Sequence, residues 1–130
     1  MYSREIKERL QSMTIEEKAR LCAGKDFWQT WGDEESGIPP MLMTDGPSGL
    51  RKQTEATDHL GLNESNTAVC FPAGCALASS FDPDLAEAVG TEIGKLARAE
   101  NVGVVLGPSI NIKRSPLCGR SFENYSEDPY

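Results

Sequence analysis

One histidine, His59, and four cysteines without a single C-x-x-C pair leave the 130-residue chain with no ligand set spaced for zinc. The cysteines stand at positions 22, 70, 75 and 118, and small buried thiols are the role expected of them. Positive charge is also scarce: 13 Lys and Arg face 20 Asp and Glu, a net charge of −7. A basic face for nucleic acid or an anionic membrane is therefore not expected, and neither is counted among the partners. No apolar run is long enough to cross a bilayer. The first ten residues alternate charged and apolar side chains and hold no run of signal-peptide length, so reduced thiols and a cytoplasmic address are the simplest expectation. Neither a metal nor another cofactor is expected.

What remains is the composition of a soluble globular protein, 38% hydrophobic and 25% charged. Residues 2–11 read as a helix. Thr14-Ile-Glu-Glu17 fits a capping box, and the apolar face that follows predicts a short helix ending at Gly24. Residues 24–40 read as loop, with Phe27, Trp28 and Trp31 in a glycine- and acid-rich setting. Met41-Leu-Met43 reads as a short strand that ends at Thr44-Asp-Gly-Pro47, and residues 51–67 as a polar, irregular loop holding the histidine. Cys70-Phe-Pro72 is expected to be a brief strand, and residues 73–79 a small-residue helix. The clearest element comes next: Asp82 caps, Pro83 takes the first helical position, and Leu85, Ala88, Val89, Ile93, Leu96 and Ala97 recur at helical spacing to about Asn101. A buried strand is expected over Gly103 to Leu106, broken at Gly107-Pro108. Strand, helix and strand in this order suggest an α/β fold class with a right-handed parallel unit.

A short apolar strand running into a polar loop is how α/β proteins present working side chains. Here the loop after Leu106 delivers Asn111, Lys113, Arg114, Arg120, Glu123, Glu127 and Asp128. At the other strand, Asp45 precedes Gly46-Pro47. It either accepts hydrogen bonds from vicinal hydroxyls, as sugar recognition requires, or caps its own turn. Arg51 could face the same mouth or solvent. Arg120 could donate to neighbouring hydroxyls or orient Glu123 or Glu127, with Lys113 and Arg114 equally placed by chemistry alone. Glu123 and Glu127 have the residue type for acid–base work on a glycosidic bond, but carboxylates that pair with these cations and hold the loop are the favoured reading. Phe27, Trp28 and Trp31 serve either as a platform for a sugar face or as core. His59 reads as a surface residue.

The ordered set of these segments resembles the amino-terminal domain of glycoside hydrolase family 3, especially its bacterial β-glucosidase branch. The matching stretches are Thr14-Ile-Glu-Glu-Lys18, Cys22-Ala-Gly-Lys-Asp-Phe-Trp28 and the run from Gly37 through Thr44-Asp-Gly-Pro47 and Gly49-Leu-Arg51 to Gln53. They continue in Cys70-Phe-Pro72, Leu106-Gly-Pro-Ser-Ile-Asn-Ile-Lys-Arg114 and Gly119-Arg-Ser-Phe-Glu-Asn-Tyr-Ser-Glu-Asp-Pro129. The resemblance implies a TIM-like (β/α) barrel followed by a three-layer α/β domain, and a retaining, exo-acting β-glycosidase, β-glucosidase above all, acting on terminal non-reducing sugars of a small-molecule or oligosaccharide substrate. It implies that Asp45 is a sugar-hydroxyl ligand of the innermost subsite, that Arg120 donates to ring hydroxyls and that Arg51 is a further ligand there. The family often carries histidine where this chain has Ser48. The family's nucleophile and acid/base carboxylate fall beyond position 130, so no catalytic residue is expected here. A non-catalytic carbohydrate-binding or interaction module built on the same fold is the alternative. A barrel takes about 250 residues, and Glu127-Asp-Pro129 reads as the start of a further helix. Residues 1–130 are therefore expected to be the truncated amino-terminal part of the barrel domain, with uncovered sheet edges and poor folding on their own.

Overall fold

The computed structural model describes residues 3–53 and 64–128, which form two compact units divided between Met43 and Thr44. His59, much of the polar loop around it, and Pro129 lie outside the described residues.

The first unit begins with two helices, each started by a side-chain cap. Helix α1 (Arg4–Ser12) follows Ser3, whose hydroxyl accepts from the Ile6 N–H, and helix α2 (Ile15–Leu21) follows Thr14. The capping box is present in full: Thr14 Oγ1 accepts from the Glu17 N–H, and the Glu17 carboxylate accepts from the Thr14 N–H. Helix α2 stops at Leu21, with Cys22 as its carboxyl cap, two residues earlier than Gly24 suggested. Gly24 is used instead in an isolated antiparallel pair with Thr30. The loop that follows is stitched by further pairs, Asp33 with Ile38 and Gln29 with Leu42. Asp26 Oδ1 accepts from the N–H groups of Trp28 and Gln29, so the carboxylate takes over donors that the turn leaves unpaired.

The second unit holds the sheet except for Met43, the first residue of its first strand. Strand β1 (Met43–Asp45) is paired with β2 (Val104–Leu106), the two named strands among the described residues. The first strand lies two residues later than the apolar run Met41–Met43 indicated, so Asp45 is its last residue rather than the first residue of the loop. Cys70-Phe71-Pro72 forms no strand; the Phe71 N–H donates to the Ser48 carbonyl at 2.7 Å, which ties an extended segment to the turn after β1. Helix α3 (Gly74–Ala78) buries Gly74 and Leu77 and packs against a 3₁₀ turn at Ser121–Glu123.

Helix α4 (Pro83–Ala99) starts as the residues predict, with Asp82 Oδ1 accepting from the Leu85 N–H at 3.0 Å and Pro83 in the first turn. Its end is equally definite. The Asn101 N–H donates to the Arg98 carbonyl, the Val102 N–H donates to the Ala97 carbonyl, and Asn101 adopts φ 55°. This is a Schellman closure with Asn in the left-handed position, and its apolar partners Ala97 and Val102 are both buried. The helix thus hands its chain directly to β2.

Two expectations about burial are corrected. Strand β2 is not buried: Val104 and Val105 are half-buried and Leu106 is exposed. All four cysteines are free and exposed. The described core is small, comprising Met13, Leu50, Leu77, Ala97 and Val102, so few thiols could be covered. Cys75 shows why in detail: α3 turns Gly74 and Leu77 inward, three residues apart, and Cys75 falls on another face. Ile110, Ile112, Leu117 and Phe122 are exposed as well. The 130-residue chain expressed by itself is accordingly expected to bind a hydrophobic dye and to melt gradually. A sharp single transition of a dye-free monomer would contradict this.

Candidate functional site

The carboxyl ends of β1 and β2 open into one cavity of about 590 Å³ in the second unit. Asp45, Arg51 and Arg120 all line it, together with Asn111, Phe122 and Glu123. Lys113, Arg114 and Glu127 are not among the residues lining this cavity, so of the loop's cations Arg120 is the one found there with Asp45.

Local backbone chemistry explains how Asp45 and Arg51 come together. The Arg51 N–H donates to the Asp45 carbonyl at 3.0 Å, and the two residues form an antiparallel pair. Thr44, 2% exposed, donates its hydroxyl to the Arg51 carbonyl at 2.6 Å. The turn between them needs glycine twice. Gly46 has φ 142° and Gly49 φ 133°, and a Cβ on Gly49 would collide with the Val69 carbonyl oxygen. Among the described residues nothing donates a hydrogen bond to the Asp45 carboxylate, so the turn is closed by backbone and by Thr44 rather than by an aspartate cap. Asp45 is half-buried, with its acceptor oxygens unclaimed by those residues. Thr44 was not singled out in the sequence; its place between an apolar run and Asp-Gly-Pro is the signal that could have found it.

Arg120 enters from the other side, on the turn before the 3₁₀ segment. Its Nε donates to Glu123 Oε1 at 2.7 Å and an Nη to Oε2 at 2.6 Å, a bidentate pair. The Glu123 side chain is 15% exposed and the Arg120 side chain 77%, so the carboxylate acts as a seat for a guanidinium that still faces the cavity. The hydrogen bonds from Arg120 hold the Glu123 carboxyl below its ordinary value of 4.5, against the opposing effect of burial. Hydrogen bonding to Glu123 and its charge push Arg120 upward, with a smaller contribution from Asp45. Glu123 is thereby committed to its partner rather than available as an acid, and Glu127 is exposed outside the cavity.

Asn124, also unremarked in the sequence, is buried. It pairs with Ser109 in an isolated parallel bridge, and its Oδ1 accepts from the Ser109 hydroxyl at 2.6 Å. That link brings the loop after β2 to the segment after Arg120. In the first unit, Trp28 meets the edge of Phe27 at 4.9 Å and Trp31 stacks under the Arg20 guanidinium at 4.8 Å, so one face of Trp31 is already occupied. Among the described residues no cluster of His, Cys, Asp and Glu could hold a metal ion.

The sequence pattern of the glycosyl hydrolase family 3 N terminal domain matches residues 23–130. Thermostable beta-glucosidase B of Acetivibrio thermocellus is 55% identical over 126 residues, 97% of this chain and 17% of that protein. The exo-alpha-(1->6)-L-arabinopyranosidase of Bifidobacterium longum is 46% identical over 122 residues, 93% of this chain and 16% of that protein. Among solved structures, the beta-glucosidase from Kluyveromyces marxianus in complex with glucose is matched with a TM-score of 0.83 at 40% identity, over 96% of this chain and 14% of that one. With a family pattern over residues 23–130 and a relative 55% identical over 97% of its length, the chain belongs to glycoside hydrolase family 3. It spans about one-sixth of the length of the curated relatives it matches.

The Arg120–Glu123 pair yields a pH prediction. Because the folded-state value of Glu123 is lowered, the pair's contribution is complete above the ordinary value of 4.5 and is lost as pH falls through the lowered value. A carboxyl titration of Glu123 followed by NMR should give a midpoint below 4.5, and Arg120→Met should move it upward. An unchanged midpoint in the variant would show that the pair does not set it.

Proposed function

We propose that these residues are the amino-terminal portion of a TIM-like (β/α) barrel domain in a longer, retaining, exo-acting β-glycosidase, with β-glucosidase the favoured activity. Asp45, Arg51 and Arg120 form part of its innermost sugar subsite. The observation that carries this reading is the convergence of the three side chains on one cavity at the ends of both strands. Its volume of about 590 Å³ lies within the ordinary range for a small-ligand site, roughly 300–1,000 Å³.

The chemistry of the lining suits a polyhydroxylated ring. A hydroxyl both donates and accepts, so its binding site needs acceptors and donors within reach. Asp45 supplies two acceptor oxygens, while Arg120 and Arg51 supply planar arrays of N–H donors. The Arg120 guanidinium is seated by Glu123 before the sugar arrives, which reduces the ordering required on binding. In this reading the subsite binds and orients the terminal sugar, and the family's nucleophile and acid/base residues are supplied from outside these 130 residues.

The β-glucosidase relatives favour a glucoside. A second specificity is suggested by the 46% identical arabinopyranosidase, so a pentopyranoside is the alternative substrate worth comparing. Hydrolysis of either separates an enzyme from a module that only binds sugar.

The test is at Asp45 in the intact enzyme. Loss of charge-assisted hydrogen bonds worth ~1.5–3 kcal/mol each should make Asp45→Ala lower kcat/KM by at least ~10²-fold on an aryl β-glucoside. Its melting temperature should change little, because among the described residues the carboxylate holds no part of the turn. Asp45→Asn should also be severely impaired, since an amide nitrogen donates where the sugar hydroxyl donates. Near-normal turnover by Asp45→Asn would sink the ligand assignment.

A further inference from the structure

Beside the proposed sugar site, the segment carrying Arg51 is fastened to the end of helix α4 by residues that do not line the cavity. Lys52 Nζ donates to the backbone carbonyl of Glu100 at 2.8 Å and to its carboxylate at 3.2 Å. Asn66 Nδ2 donates to the same carboxylate oxygen at 2.9 Å, and the Asn66 N–H donates to the Lys52 carbonyl at 2.8 Å. Next to this junction Gln53 and Ser65 form an antiparallel pair. Three segments far apart in sequence therefore meet on one carboxylate.

Glu100 is the carboxyl cap of α4, where backbone carbonyls lack partners within the helix and the dipole is negative. An ammonium there satisfies a carbonyl and a carboxylate together. The pair is partly shielded, the Lys52 side chain being 27% exposed and that of Glu100 40%. The hydrogen bonds from Lys52, then that from Asn66, hold the Glu100 carboxyl below its ordinary range, which keeps it charged for its role.

Neighbouring residues in extended backbone point to opposite sides. Arg51 pairs with Asp45 and lines the cavity, while Lys52 reaches the helix end. We propose that Lys52, clamped by Glu100 and Asn66, is a positioning residue that sets where Arg51 presents its guanidinium in the sugar subsite. The inference rests on the subsite reading above and extends it to residues that do not touch sugar.

A double-mutant cycle in the intact enzyme tests it. Lys52→Met should raise KM for an aryl β-glucoside by about tenfold, a size expected of coupled neighbours, with a smaller effect on kcat. In an Arg51→Ala background the same change should cost no more than about twofold, because the residue it positions is gone. Glu100→Gln keeps the carbonyl acceptor and the side-chain shape, and should show the same dependence on Arg51 with a smaller loss. It decides the matter if Lys52→Met fails to fold. Losses equal in both backgrounds, or absent from both, would overturn the positioning role. A normal KM in Arg51→Ala alone would instead overturn the subsite reading, and the positioning role with it.

Discussion

The closure of the turn from Asp45 to Arg51 is the constraint on which the candidate site depends. Asp45 and Arg51, six positions apart, line the same cavity. The backbone bond from Arg51 to Asp45 and the buried hydroxyl of Thr44 on the Arg51 carbonyl hold them side by side. Neither bond uses the Asp45 carboxylate or the Arg51 guanidinium. The turn is closed by main chain and by Thr44, and both residues line the cavity. The two left-handed glycines complete this economy, since a side chain at Gly49 would drive the turn off the segment before Cys70.

A parallel division of labour appears on the far side of the cavity. Arg120 has five donors and uses two sites on Glu123 to fix its plane. The Arg120 side chain remains largely exposed. The Ser109–Asn124 link then relates this turn to the end of β2. In both halves of the candidate site a cavity-lining arginine is held by a separate residue, Thr44 for Arg51's backbone and Glu123 for Arg120's side chain. The holders were the less conspicuous in the sequence. Glu123 was visible as a carboxylate three residues from an arginine, which suits a turn of 3₁₀ helix; Asn124 and Thr44 gave no charge pattern to notice.

Helices were legible wherever a cap and an apolar period coincided. Thr14 with Glu17, and Asp82 with Pro83, mark helix starts by local hydrogen bonding, which depends on nothing distant. Strands were less legible because a strand of three residues is set by its partner. Met41–Met43 looked like a strand by apolarity, yet pairing with β2 begins only at Met43 and carries Asp45 into the sheet. Cys70-Phe71-Pro72 had the same look and found no strand partner, its Phe71 N–H going to the Ser48 carbonyl instead. Thiol burial failed for a related reason: buried cysteines require a covered face, and the described core covers few residues.

Local chemistry in the sequence by itself determined the capped helices, the glycine-dependent turn after Asp45 and the order of motifs that places the chain in its family. Each of these rests on contacts between residues a few positions apart, or on the order of residues along the chain. Tertiary structure alone decided which cations share the cavity with Asp45, why Glu123 is a seat rather than an acid, and that Lys52 belongs to the end of α4. Those outcomes depend on side chains brought together from segments as far apart as residues 52, 66 and 100. Spacing along a chain cannot specify such a meeting; the hydrogen-bonding demands of a helix end and of a half-buried carboxylate do.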